Sequence, residues 1–286
     1  MAAFDPRVTP LRDDLAAKYL EGKVKAARFV EGTVMEVIAP QAPLRRQSRL
    51  DAPIETEALK GERVTVYDTN PEGWAWVQLG ADDCVGWMPD AALGPAGAPA
   101  THTVAALRTF VFPGPSIKLP PIEALPFGAK INIERVEEQM AVTSSGFYVP
   151  ATHLKPVGEN EADFVAVAER FLGVPYLWGG KTMLGIDCSG LLQVALTATG
   201  AQCPRDSDMQ EQALGRALTK TEQSSRLRRG DLIFWKGHVA IVRDGESLLH
   251  ANAFHMAVAI EPIARALTRI RGTGSEITSL RRIALA

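Results

Sequence analysis

The stretch NEADFVAVAERFLGVPYLWGGKTMLGIDCSGLLQVALTATG, residues 160–200, decides how the second half of the chain folds. In its first part apolar residues fall at 164, 167, 168, 171 and 172, the spacing of one helix face. Asn160 precedes them as a candidate cap, with acids in the first turn and Gly173 after the end, so a helix is expected over 160–172. A second helix is expected from about Cys188 to Thr199, stopped by Gly200. Cys188 stands at its start, in line with Leu191, Leu192, Ala195 and Leu196, so the thiol points along the inward-packing face. Backbone N–H groups at a helix start stabilise an anion, which lowers a thiol's pKa and can serve a developing oxyanion. The competing reading of a free cysteine is a small buried hydrophobe. Cys84 and Cys203 lack the helix-start context and keep that reading.

Beyond this stretch strand patterns dominate, at Asp231 to Trp235, His238 to Val242, Ser247 to His250 and Ala257 to Ile260. Helices followed by a run of strands read as α+β rather than a doubly wound fold. Of the five histidines in the chain, His238, His250 and His255 follow the cysteine helix. A thiolate nucleophile needs an imidazole in contact, and that imidazole needs a polar group to orient it. His238 opens one apolar strand and His250 closes the next. Pairing through the turn at 243–246 would bring the two rings together. On a strand His250 and Asn252 share one face and His255 points to the other, so the orienting position lies open between His250 and Asn252.

Several segments now fall into one order: Pro175-Tyr-Leu-Trp-Gly-Gly180, Gly185-Ile-Asp-Cys-Ser-Gly190, Arg229-Gly-Asp-Leu-Ile-Phe-Trp235, His238-Val-Ala-Ile-Val242 and Leu249-His-Ala251. Together they resemble the NlpC/P60 family over about residues 159–270. The resemblance implies a papain-like fold and a triad of Cys188, His238 and His250, since the family carries its orienting residue in the Leu-His-Ala segment. Tyr176 matches a tyrosine whose hydroxyl lies near the reacting carbonyl; the alternative is core packing beside Trp178. Asp187 matches a residue that holds the amine of an N-terminal L-alanine, against the plainer role of a helix N-cap. Ser189 either contacts substrate or fills the first helical turn. The implied substrates are peptidoglycan-derived peptides, cut between γ-linked D-glutamate and a diamino acid. A related amidase or acyltransferase, or a general wall hydrolase, would use the same triad. No metal or cofactor is needed, and a zinc site of Cys188, His238 and His250 lacks a fourth ligand with local spacing.

Ahead of residue 158 the pattern is different. Short alternating runs such as Gly32 to Ile38, Glu62 to Tyr67 and Trp74 to Leu79 are separated by Gly, Pro and Asn-Pro turns, which argues for a small all-β barrel. After a Pro/Gly-rich linker at 94–100 a second β-rich stretch follows. The two end alike, in Gly86-Trp-Met-Pro-Asp-Ala-Ala-Leu93 and Gly146-Phe-Tyr-Val-Pro-Ala-Thr-His-Leu154, a weak internal repeat. These endings resemble bacterial SH3-type domains. The expected organisation is an N-terminal helical segment over 1–26, with a short helix at Asp13 to Tyr19. Two SH3-like domains follow over 27–98 and 99–157, and then a peptidase domain over 158–286. This layout resembles cytoplasmic recycling enzymes that cleave L-Ala-γ-D-Glu-diamino acid fragments. In them the first SH3-like domain narrows the cleft, so that a free N-terminal L-alanine is required.

Composition fits that expectation. Across 286 residues, 46% are hydrophobic, enough for a sizeable core, and the formal net charge of −2 offers no basic footprint for nucleic acid. Three scattered cysteines make no disulfide framework and suit a reducing compartment. The opening MAAFDPRVTPLRDDLAAKYL has no apolar signal core, and no run approaches the roughly 18 apolar residues of a membrane span. A soluble cytoplasmic protein with no membrane partner is expected.

Overall fold

Alternating apolar residues and tight turns build the first half of the protein, as the computed structural model shows for residues 4–224 and 227–284. The chain divides between Val157 and Gly158 into two units. In the first unit one sheet runs in the order Ile54–Leu59, Gln41–Arg45, Val85–Pro89, Trp74–Leu79, Arg63–Asn70, Thr33–Val37, Leu93–Pro95. Its inward residues, among them Val37, Leu44, Val64, Val77 and Met88, form one core. A separate core gathers Val104, Val111, Leu125, Ile131, Ala141 and Val149 from the strands over 102–156. There His102–Val104 lies between Lys130–Ile131 and Leu154–Pro156.

The internal repeat has a structural counterpart. Val85–Pro89, a 3-10 turn Asp90–Ala92 and Leu93–Pro95 are matched by Tyr148–Pro150, a 3-10 turn Ala151–His153 and Leu154–Pro156. In both, a proline with its fixed φ, −57° at Pro89 and −54° at Pro150, ends the strand and starts the turn. The helix expected at Asp13 to Tyr19 does not form. Ala16–Ala17 is a short strand pairing with Phe29–Val30, followed by a 3-10 turn at Lys18–Leu20. Tertiary contact decides this. The Arg12 guanidinium lies over the Trp76 and Trp87 rings and bonds Asp68 at 2.6 Å, while Ala16, Ala17 and Leu20 are buried with Tyr67.

The second unit carries helices α1 (Phe164–Glu169), α2 (Cys188–Ala198), α3 (Ser207–Ala213), α4 (Lys220–Ser224) and α5 (Ile263–Gly272). Its sheet contains β1 (Arg216–Ala217), β2 (Asp231–Trp235), β3 (His238–Val242), β4 (Ser247–Asn252), β5 (Ala257–Pro262) and β6 (Ile277–Arg282), in the order β1-β6-β2-β3-β4-β5. Helix α1 is shorter than expected, and its N-cap is Asp163 rather than Asn160: Asp163 Oδ1 accepts from the Val165 N–H at 2.9 Å. The residues before it are drawn away, since the Glu161 N–H bonds Ala198 O at the end of α2. The α+β expectation holds, and α2 packs against β3 and β4. Helix α5 packs Ala266 and Ile270 on Ala240, Val242 and Leu248. Among the described residues no helix is long and apolar enough to cross a membrane.

Candidate active site

Helix α2 starts where Asp187 caps it, its Oδ1 accepting from the Gly190 N–H at 2.7 Å. Two glycines here are sterically required, one before the helix and one in its first turn: a Cβ on Gly180 would strike the Gly185 carbonyl, and one on Gly190 the Gly180 carbonyl. Cys188 is thereby the first helical residue, 7% exposed. The backbone N–H groups of Val239 and Ser189 act on its sulfur in favour of the thiolate, and Val239 follows His238 at the start of β3. Burial is the larger influence on its ionisation. With the Asp187 charge acting in the same direction, it pushes the thiol up to about 12, against the lowering expected from the helix start.

The hairpin of β3 and β4 brings the histidines together. Its register pairs Ile241 with Leu249, which continued outward sets His250 opposite Ala240, on the face that carries His238. His238 Nε2 lies 2.9 Å from His250 Nδ1, with the ring centroids 5.1 Å apart. The Trp235 ring covers His238 at 5.5 Å. Burial lowers both imidazoles, His238 to about 3, with the fields of His250 and Arg269 adding to it. His250 falls to about 4, burial outweighing the opposing pull of Glu261. Both rings therefore rest neutral at pH 7. Asn252, the other candidate for the orienting position, is occupied elsewhere. Its Nδ2 donates to His250 O at 3.3 Å and its Oδ1 accepts from the His255 N–H at 2.9 Å.

Tyr176 sits half-buried, its N–H bonded to Met256 O. Burial raises its phenol, and negative charge on Cys188 or Asp187 raises it further, so the hydroxyl stays a proton donor within the field of Cys188. Packing beside Trp178 does not explain it, because Trp178 is 66% exposed.

Asp187 and Ser189 occupy a different setting from the one expected. Arg205, buried and absent from the sequence reading, bonds both Asp187 oxygens at 3.0 and 2.7 Å and Ser189 Oγ at 2.8 Å. Asp187 also accepts from the Gly179 N–H at 2.8 Å, from the Gly190 N–H and from Ser189 Oγ–H. Five donors fill the roughly four lone-pair sites of a carboxylate, and the guanidinium balances its charge. Asp187 thus serves as the helix cap, the plainer of its two expected roles, with Ser189 in the same buried network. No sequence spacing marks Arg205, which lies outside any helix or strand.

His250, His255 and Glu261 have donor atoms close enough to share a metal ion. Those atoms are already committed. Both His250 nitrogens face His238 and Glu261, His255 Nδ1 faces Asn252 Oδ1, and Arg269 pairs with Glu261.

Comparison with known proteins finds a match in each half of the chain. Residues 173–272 match the NlpC/P60 family, and residues 44–93 match the bacterial dipeptidyl-peptidase Sh3 domain. Dipeptidyl-peptidase 6 of Lysinibacillus sphaericus is 38% identical over 88 residues, 31% of this chain and 31% of that protein. A gamma-D-glutamyl-L-lysine dipeptidyl-peptidase of Bacillus cereus is 27% identical over 244 residues, 73% of this chain and 71% of its own length. The chain thus matches under a third of the first relative's length and about seven-tenths of the second's. The crystal structure of an NlpC/P60 family protein from Bacillus cereus superposes with a TM-score of 0.72 at 21% identity, covering 87% of this chain and 99% of that one. It shares the fold.

Proposed function

We propose that this chain, an NlpC/P60 family protein with a bacterial SH3-type domain ahead of its catalytic unit, is a cysteine peptidase of peptidoglycan-derived peptides. Its bond is the one between γ-linked D-glutamate and a diamino acid, in fragments that begin with a free L-alanine. The observation that carries the reading is the line from the Cys188 thiol, past the Val239 N–H, to His238 and His250. His238 takes the thiol proton as sulfur attacks the γ-glutamyl carbonyl. The C–N bond then breaks, and His238 gives that proton to the leaving amine. Water, deprotonated by His238, releases the acyl group and restores the thiol. The Cys188 N–H at the helix start and the Tyr176 hydroxyl are the donors available to the oxyanion.

The requirement for a free amine finds support in relatives whose names make them dipeptidyl-peptidases, enzymes that count from a free N-terminus. Recycling of such fragments assigns the protein to the cytoplasm, which cell fractionation checks. The decisive experiment incubates the protein with L-Ala-γ-D-Glu-meso-diaminopimelate and with its N-acetylated form. We expect L-Ala-D-Glu and free diaminopimelate from the first, far slower cleavage of the second, and no turnover of either by Cys188→Ala. Equal cleavage of both would leave a general wall hydrolase. Turnover by Cys188→Ala would remove the nucleophile.

A further inference from the structure

The machinery does not end at His250. Its Nε2 lies 2.9 Å from Glu261 Oε1 on β5, and the Arg269 guanidinium on α5 bonds the same oxygen. Glu261 pairs across the sheet with Leu248, which puts it on the His250 face and diagonal to it, while the residue opposite His250 is the small Ala259. His250 is 1% exposed and Glu261 8%. Arg269 is held over the Phe254 ring at 4.4 Å, so the carboxylate keeps its counter-ion. The other titratable group facing His250 is His255, from the β4–β5 turn.

We propose that Glu261, held by Arg269, is a positioning residue that fixes the tautomers of both histidines and leaves His238 Nδ1 free as the base. The argument is one of donors and acceptors. An ionised carboxylate only accepts, so His250 must carry its proton on Nε2. His250 Nδ1 in the neutral ring is then an acceptor, and His238 Nε2, 2.9 Å away, must donate to it. His238 therefore keeps its lone pair on Nδ1, the nitrogen left to take the thiol proton. Two neutral imidazoles alone would be free to hold their protons in either order. Glu261 removes that freedom, and the imidazolium formed at His238 during attack is stabilised through His250. This inference rests on the peptidase reading for its catalytic consequence, but the tautomers themselves do not depend on it.

The test uses the full chain labelled with 15N-histidine. Long-range 15N–1H spectra at pH 7 should show His238 and His250 both neutral and both protonated at Nε2. In Glu261→Gln the side-chain amide can donate as well as accept, so the two tautomers should mix. There kcat for L-Ala-γ-D-Glu-meso-diaminopimelate should fall about 10- to 100-fold with KM changed by less than about twofold. Glu261→Asp should restore part of the rate and of the spectrum. A wild-type proton on His250 Nδ1 overturns the proposal, as does a folded Glu261→Gln with unchanged kcat and tautomers. Where Glu261→Gln does not fold, the wild-type spectrum decides alone. Where the wild type cleaves no peptide, the function proposed above falls and the spectrum still judges the tautomers.

Discussion

At Cys188 two effects of opposite sign act on one sulfur. The helix start and the Val239 and Ser189 N–H groups favour the thiolate, while burial and the Asp187 charge oppose it, and the opposition wins. Burial of both groups therefore favours the neutral thiol and imidazole over a resting thiolate–imidazolium pair. In the mechanism proposed above the proton moves as the substrate is attacked. Alkylation of Cys188 by iodoacetamide should consequently be slow at pH 7 and climb steadily with pH beyond the ordinary thiol pKa of about 8.5. A plateau in that rate between pH 5 and 7 would mean the ion pair exists before substrate arrives. Cys188 and His238 stand out in the sequence because each begins an element, whereas His250, inside β4, is picked out by the Leu-His-Ala segment of the family resemblance. Arg205, Glu261 and Arg269 do not stand out. Their meaning comes from what they touch after folding, and no periodicity in the chain records it.

The cap of α2 is where element and chemistry meet. Asp187 orders the helix start and thereby Cys188, but it also faces Arg205 in an ion pair whose side chains are 2% and 9% exposed. Asp187→Asn keeps an acceptable cap yet removes the carboxylate that pairs with the buried Arg205 guanidinium. That should cost about 3–5 kcal/mol, read as a lower urea midpoint of the C-terminal unit. Pairing it with Arg205→Met should recover much of the loss, since a buried pair removed whole costs less than one partner removed. The preference for a free-amine peptide over its acetylated form should stay within about twofold in whatever Asp187→Asn remains folded, because the carboxylate's lone pairs serve the protein. A collapse of that preference would restore Asp187 as the amine's partner. Elements with continuous apolar runs, β2, β3 and β4, were readable from composition alone. Helix α5 was not, because only Ala266 and Ile270 of its residues are buried, nor was β6, which is half-exposed and reaches β2 from far along the chain.

On the scale of the whole molecule, the histidines that make the site also set its acid limit. In the native second unit His238 and His250 titrate near 3 and 4, whereas an unfolded histidine takes its proton near 6.5. As pH falls below about 6.5 the unfolded chain binds protons that the native one refuses, so the native state loses stability. Above that value the contribution is complete; below it the contribution drains away at about 1.4 kcal/mol per pH unit for each histidine, down to about 4 for His250 and about 3 for His238. Glu261 adds a loss of the same sign at lower pH. Its carboxyl is held below its usual range by Arg269 and His250 against the opposing effect of burial, and protonating it gives up those bonds. The first unit's cores contain neither histidine. Hydrogen exchange followed by mass spectrometry should therefore show peptides from 231–252 losing protection between pH 6.5 and 4.5. His250→Asn should flatten that dependence by about half, since one of two such groups is gone. If wild-type protection over 231–252 is unchanged across this window, the two rings are not neutral in the native protein. The neutral-pair mechanism would then fail together with the stability argument.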